Sequence, residues 1–203
     1  MVNERDTVRH RIFCIIGKSG TGKDTLYQEL LNDEALPFER LVPCTTRPVR
    51  AGEQNGREYF FYTVEELRAL EQAGKVIESR CYKTVHGPWY YFTADDGQID
   101  PARHSTLLIG TLVSYVALRD YYGADKVVPV YVEVEDGERL QRALNRERAE
   151  ESPKYRELCR RFLADCEDFS EEKIAEAGIE RRFENDNLER CKNEIKEYLI
   201  EMM

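Results

Sequence analysis

Nine residues near the amino end, Gly17-Lys18-Ser19-Gly20-Thr21-Gly22-Lys23-Asp24-Thr25, combine the groups needed to hold a chain of phosphates. Glycines let successive backbone N–H groups turn toward one point, and Lys23 brings a positive charge on a long stem. The spacing Gly17-x4-Gly22-Lys23 is that of a loop wrapping a nucleoside triphosphate, and such a loop needs a strand before it and a helix after it. Both signals are present: Ile12-Phe13-Cys14-Ile15-Ile16 reads as a buried strand, and Leu26-Tyr27-Gln28-Glu29-Leu30-Leu31 has helical spacing. Gly17, Ser19, Gly20, Thr21, Gly22, Lys23, Asp24 and Thr25 are therefore the candidate ATP contacts. Asp24 stands where the pattern calls for a serine or threonine hydroxyl. As a hard oxygen donor it is the candidate Mg²⁺ ligand, with an ordinary first-turn helix acid as the competing reading.

A second cluster follows. Arg47 and Arg50 lie three apart among turn residues, ahead of Tyr59-Phe60-Phe61. Guanidinium forks match phosphate oxygens bidentately, and a tyrosine hydroxyl adds a donor, so this loop is suited to a second phosphate group opposite the first. Further on, Arg142, Arg146 and Arg148 gather toward the end of a helix read over residues 136–148. Arg160 and Arg161 sit on another helix beyond Ser152-Pro153.

Thr45 to Phe61 follow the pattern Thr-Thr-Arg-x-x-Arg-x-Gly-Glu-x-x-Gly-x-x-Tyr-x-Phe almost position for position, and with the glycine-rich loop upstream the chain resembles the guanylate kinases. The resemblance implies that Arg47, Arg50, Tyr59 and Tyr91 bind the phosphate of an acceptor nucleoside monophosphate. It implies that Glu78 and Thr93 contact its base, and that Asn185 lies by the adenine of ATP. Lys23, Arg142, Arg146 and Arg161 would be the catalytic cations, the three arginines on a lid that closes over ATP. The implied reaction is transfer of the γ-phosphoryl of ATP, with Mg²⁺, to GMP or dGMP. Pro43 and Gly110 replace side chains expected to read guanine, and Phe92 replaces a glycine in a lengthened 83–93 hairpin. Another monophosphate or a modified purine nucleotide is therefore the alternative acceptor, and a catalytically silent binding module is a further alternative.

The elements that must position these residues alternate between strand and helix. The fold expected is a three-layer α/β fold of the P-loop nucleoside triphosphate hydrolase type, with a mostly parallel core sheet. One domain of 203 residues is expected. Its core is placed at 1–43, 94–139 and 166–203, a monophosphate-binding region at 44–93 and a lid at 140–165. Strands are read over residues 40–43, 75–82, 106–111 and 126–132. Thr63-Val64-Glu65-Glu66 opens a capped helix, residues 112–122 form another, and a final helix runs over 188–199.

The net charge of −9, with both signs interspersed, disfavours a nucleic-acid surface. Six cysteines without a Cys-x-x-Cys pair argue against a zinc site or a disulfide framework, and no apolar run is long enough to span a membrane. A soluble cytoplasmic protein, monomer or homodimer, is the expectation. His86 is assigned no role, and Trp89 is read as core.

Overall fold

The structure, a computed structural model, describes residues 9–84 and 87–203. His86 and the polar residues 1–6 lie outside the described residues. In chain order the elements are β1 (Ile12–Ile16), α1 (Lys23–Leu31), β2 (Phe38–Arg40), β3 (Cys44–Thr45), β4 (Phe60–Phe61), α2 (Val64–Gln72), β5 (Val76–Thr84) and β6 (Gly87–Ala94). They continue with β7 (Ser105–Ile109), α3 (Leu112–Tyr122), β8 (Val127–Glu133), α4 (Asp136–Arg148), α5 (Tyr155–Asp168), α6 (Glu171–Glu176), β9 (Arg182–Glu184) and α7 (Leu188–Met202).

Five strands form a parallel sheet in the order β2-β7-β1-β8-β9. All five residues of β1 are buried, as a central parallel strand covered on both faces requires. Ile12, Cys14 and Ile16 pack with Leu112, Tyr115, Leu118 and Ile174 on one face. The intervening Phe13 and Ile15 pack with Leu26, Leu30, Cys191, Ile195 and Leu199 on the other. Period-two alternation of one apolar strand thus feeds two helical layers, giving the three-layer α/β architecture. The register pairs Ile15 with Ile109 and Ile16 with Tyr131, so the carboxyl ends of β1, β7 and β8 meet at one edge. Ligands bind at that edge in open α/β sheets.

The segment between β2 and β7 builds a second sheet, ordered β4-β3-β6-β5. Its long hairpin pairs Glu78 with Thr93 and Arg80 with Tyr91, placing all four on one face. Phe92 points the other way, buried with Cys44, Leu67 and Ala94. No non-glycine residue among those described has positive φ, so Phe92 sits in ordinary strand backbone where the resemblance would place glycine.

Several element boundaries differ from expectation. The strand expected at 40–43 is instead β2, because Phe38 to Arg40 pair with β7, whereas Val42 hydrogen-bonds the side chain of Gln98 and Pro43 has no N–H to give a ladder. The strand read over 106–111 ends at Ile109, since Thr111 is spent as the N-cap of α3, its side chain accepting from Ser114 N–H. The capping box of α2 is formed as expected, with Thr63 and Glu66 bonding each other's backbone. The short helix α6, capped by Ser170, had not been anticipated. Among the described residues no helix is long and apolar enough to cross a membrane.

Candidate active site

The glycine-rich loop leaves β1 and enters α1 at Gly22, which caps the helix at φ 82°. Close approach from neighbouring elements dictates its glycines. A Cβ on Gly17 would lie 2.3 Å from the Val132 carbonyl oxygen, and one on Gly22 would lie 2.5 Å from Nδ2 of Asn185. Thr21 is buried and donates to the Lys18 carbonyl oxygen at 2.9 Å. Asn185, also buried, donates from Nδ2 to the Thr21 carbonyl oxygen at 2.8 Å, while its own N–H bonds the Glu133 carbonyl oxygen. Its side chain therefore fastens the loop to the β8–β9 edge, a task the sequence reading had not assigned to it.

Lys23 opens α1, its Nζ 3.8 Å from Oδ2 of the exposed Asp24. Among the described residues no cluster of three or more His, Cys, Asp or Glu is arranged to hold a metal. A Mg²⁺ ion bound with nucleotide takes most of its ligands from phosphates and water and needs only one or two carboxylates. The exposed carboxylate of Asp24 fits that demand.

The acceptor side is built around Arg47, whose guanidinium is 3% exposed. It donates to both carboxylate oxygens of Glu53 at 2.7 and 2.6 Å, and to the Pro48 carbonyl oxygen at 3.0 Å. The guanidinium also lies 4.9 Å from the Tyr59 ring centroid, and that ring is 5.7 Å from Tyr91. Glu53 in addition accepts from Arg50 N–H at 2.8 Å, so one carboxylate shapes the turn that carries both arginines. The Arg50 side chain is exposed.

These bonds hold the Glu53 carboxyl at about 2, below the ordinary value of 4.5, chiefly through Arg47 and then through the backbone of Arg50. A depressed folded-state pKa contributes stability that is complete above the unfolded value and is lost as the pH falls toward the folded one. The thermal advantage of the wild type over Glu53→Gln is therefore expected to be full above about pH 4.5 and to shrink toward pH 2. Melting curves of both proteins across that range test this, and an advantage independent of pH would refute it.

At the base end Glu78 is buried. Its Oε1 accepts from Thr93 Oγ1 at 3.2 Å, while Oε2 is buried without a hydrogen bond and lies 3.3 Å from Arg80 Nε. The sequence reading missed Arg80, although period-two spacing from Glu78 on a strand was the available signal. Pro43 and Gly110 line the same cleft. A Cβ on Gly110 would sit 2.8 Å from Cys14 Sγ, so the local packing admits only glycine there without a shift.

One cleft of about 420 Å³ is lined by Lys23 together with Tyr59, Tyr91, Glu78 and Thr93, whereas Arg47 and Arg50 are not among its lining residues. Its volume is within the range usual for small-molecule sites. The expected lid arginines are not brought into it. Arg142 bonds Glu138 and the Asn185 carbonyl oxygen, beside the loop. Arg146 and Arg161 line a separate depression with Glu147, Glu150 and Glu157, and Arg161 lies 3.9 Å from Glu147.

The guanylate kinase family model matches residues 9–98. A guanylate kinase of Porphyromonas gingivalis is 26% identical over 196 residues, covering 95% of this chain and 98% of that protein. One of Streptococcus agalactiae is 34% identical over 127 residues, covering 63% of this chain and 48% of that protein. One of Cupriavidus metallidurans is 42% identical over 80 residues, covering 39% and 35%. The crystal structure of guanylate kinase from Anaplasma phagocytophilum superposes with a TM-score of 0.61 at 22% identity, covering 96% of this chain and 87% of that one.

The chain is similar to guanylate kinases, over residues 9–98 by the family model and along 95% of its length by the Porphyromonas gingivalis protein. The stretch matched by the family model contains the phosphate loop, the Arg47–Tyr59 turn and the Glu78–Thr93 hairpin. The arginines of α4 and α5, together with Asn185, lie beyond it.

Proposed function

We propose that this chain is a guanylate kinase, which transfers the γ-phosphoryl of MgATP to GMP or dGMP, giving ADP and the nucleoside diphosphate. The observation that supports this reading is the shared cleft, which Lys23 lines together with Tyr59 and Tyr91. Backbone N–H groups of Gly20 to Thr25 would hold the donor phosphates, with Lys23 on the outermost. Arg47, Arg50, Tyr59 and Tyr91 would hold the acceptor phosphate, while Glu78 accepts from the N–H groups of the guanine edge and Thr93 supports it.

Phosphoryl transfer asks little covalent chemistry of the protein. It asks for two anions to be aligned and their repulsion neutralised, which Lys23 and the arginines supply. Bound Mg²⁺, held on the protein side by Asp24, would add Lewis-acid charge at the donor phosphates. Closure of the α4–α5 lid would bring Arg142, Arg146 and Arg161 toward the transferring group and exclude water. The setting we propose is the reducing cytoplasm, where the free cysteines persist as thiols.

A coupled assay of ADP release over GMP, dGMP, AMP, IMP, CMP and UMP tests the reading. Turnover on GMP and dGMP alone is expected. Preference for another acceptor would assign the rewritten base wall to a different nucleotide, and silence on all six would favour a binding module.

A further inference from the structure

A buried ionic cluster lies against the phosphate loop, and neither the mechanism above nor the sequence reading uses it. Arg139, from the first turn of α4, is 1% exposed and is the residue of that helix that is buried. Its NH1 donates to the Ser19 carbonyl oxygen at 2.8 Å, and its Nε and NH2 donate to Asp136 at 3.0 and 2.7 Å. The Phe162 ring lies 4.6 Å from its guanidinium carbon. On the other side of the same loop residue, Asp165 near the end of α5 accepts from Ser19 N–H through Oδ2 at 2.7 Å, and that oxygen is 3.7 Å from Arg139 NH1. Lys18 completes the set, 3.3 Å from Asp136.

Both backbone groups of one loop residue are thus claimed by two different helices. Fixing the N–H and the C=O of Ser19 fixes the peptide planes on either side of it. The following residues, Gly20 to Gly22, are those whose amides must converge on phosphate. Gly20 and Gly22 both have positive φ, and unrestrained glycine loses more conformational freedom on ordering than any other residue. Gly20 is also pressed against α4, since a Cβ there would stand 3.0 Å from the Arg139 carbonyl oxygen.

We infer that Arg139 and Asp165 are positioning residues which pre-organise the phosphate loop for the triphosphate, so that the helices carrying the lid also set the affinity for the donor nucleotide. The inference rests on the proposed use of ATP as donor. Neither side chain touches the reacting atoms. Their effect is to remove, before binding, the entropy that the loop would otherwise lose on binding.

The test uses the full chain, with ATP and ADP binding followed by calorimetry and with steady-state kinetics. Asp165→Ala is expected to weaken ATP binding and raise its KM about tenfold, the scale of a lost hydrogen bond to a charged group, while the KM for GMP stays within about twofold. Asp165→Asn keeps an acceptor for Ser19 N–H and should recover most of that loss. Because a single deletion strands a buried charge, the double variant Arg139→Leu/Asp165→Ala is measured as well. Replacing a buried ion pair by apolar groups is often close to neutral for folding. The double variant should therefore melt near the wild type and still bind ATP weakly. A merely structural cluster would instead lower the melting temperature of the single variants and leave the KM for ATP where it was, which overturns the inference. A wild-type chain that binds ATP, with the double variant binding as tightly, also overturns it. A wild type that binds neither ATP nor ADP removes the kinase reading itself, and the inference goes with it.

Discussion

Replacing Lys23 by methionine is expected to lower kcat about 10²- to 10³-fold, the cost typical of removing one pre-organised positive donor from a site where negative charge develops. Methionine keeps most of the stem's length and apolar character and removes only the ammonium group, so helix α1 and the loop should form as before. The ammonium's only ionic neighbour among the described residues is Asp24 at 3.8 Å, and that carboxylate is itself largely exposed. The charge is therefore held at the cleft with its Coulombic capacity barely committed, as a group needed by a transferring phosphoryl would be. Steady-state kinetics with saturating ATP and GMP measure the effect, with circular-dichroism melting to verify the fold. A kcat within tenfold of the wild type would mean that Lys23 does not act on the transferred group.

The second large effect is expected from Arg47→Met. Arg47 ties together the turn that carries it, since three of its donors go to Glu53 and the Pro48 carbonyl oxygen, and its plane lies over Tyr59. Truncating it removes the proposed phosphate ligand, leaves Glu53 without its ion-pair partner, and frees the Tyr59 ring that lines the cleft. Loss of a buried, hydrogen-bonded charge in a binding site carries a penalty equivalent to about 10²-fold in affinity, and the KM for GMP should rise by that order. The KM for ATP should change little, because the glycine-rich loop follows β1 of the five-stranded sheet whereas Arg47 follows β3 of the four-stranded one. Arg50→Met, at an exposed side chain, should give a smaller rise. Equal changes in both KM values for Arg47→Met would indicate general loosening of the fold rather than loss of an acceptor contact.

The parts legible in the sequence are those whose physics is local. The phosphate loop announces itself because glycine, strand and helix signals are adjacent. Helix α2 was readable from its capping box, and α4 from a run of helix formers ending before Ser152-Pro153. Helix α6 was not, since six residues with a single buried apolar side chain, Ile174, give no periodicity to detect. Strand β2 was misplaced because its partner, β7, lies more than sixty residues away and only the pairing distinguishes Phe38 from Val42.

The same holds within the site. Glu78 and Thr93 could be placed together because a hairpin joins them. The bond from Arg139 to the loop spans 120 residues of sequence, that from Asp165 spans 146, and that from Asn185 spans 164. An arginine on a highly charged helix carries no mark that it will be buried. The arginines that did attract attention, Arg146 and Arg161, stand in a separate depression, whereas the overlooked Arg139 reaches the loop itself.

The contact between Gly110 and Cys14 sets the terms on which an acid could be introduced into the base wall. Because an added Cβ would press on a sulfur at the centre of the parallel sheet, Gly110→Asp alone would strain the core before its carboxylate met any ligand. Trimming Cys14 to glycine would first have to open space beneath it, at some cost to the packing of β1. Altering the proposed base preference at this wall is thus a paired substitution, in which the permissive change comes from the strand behind the pocket and the informative one from its surface.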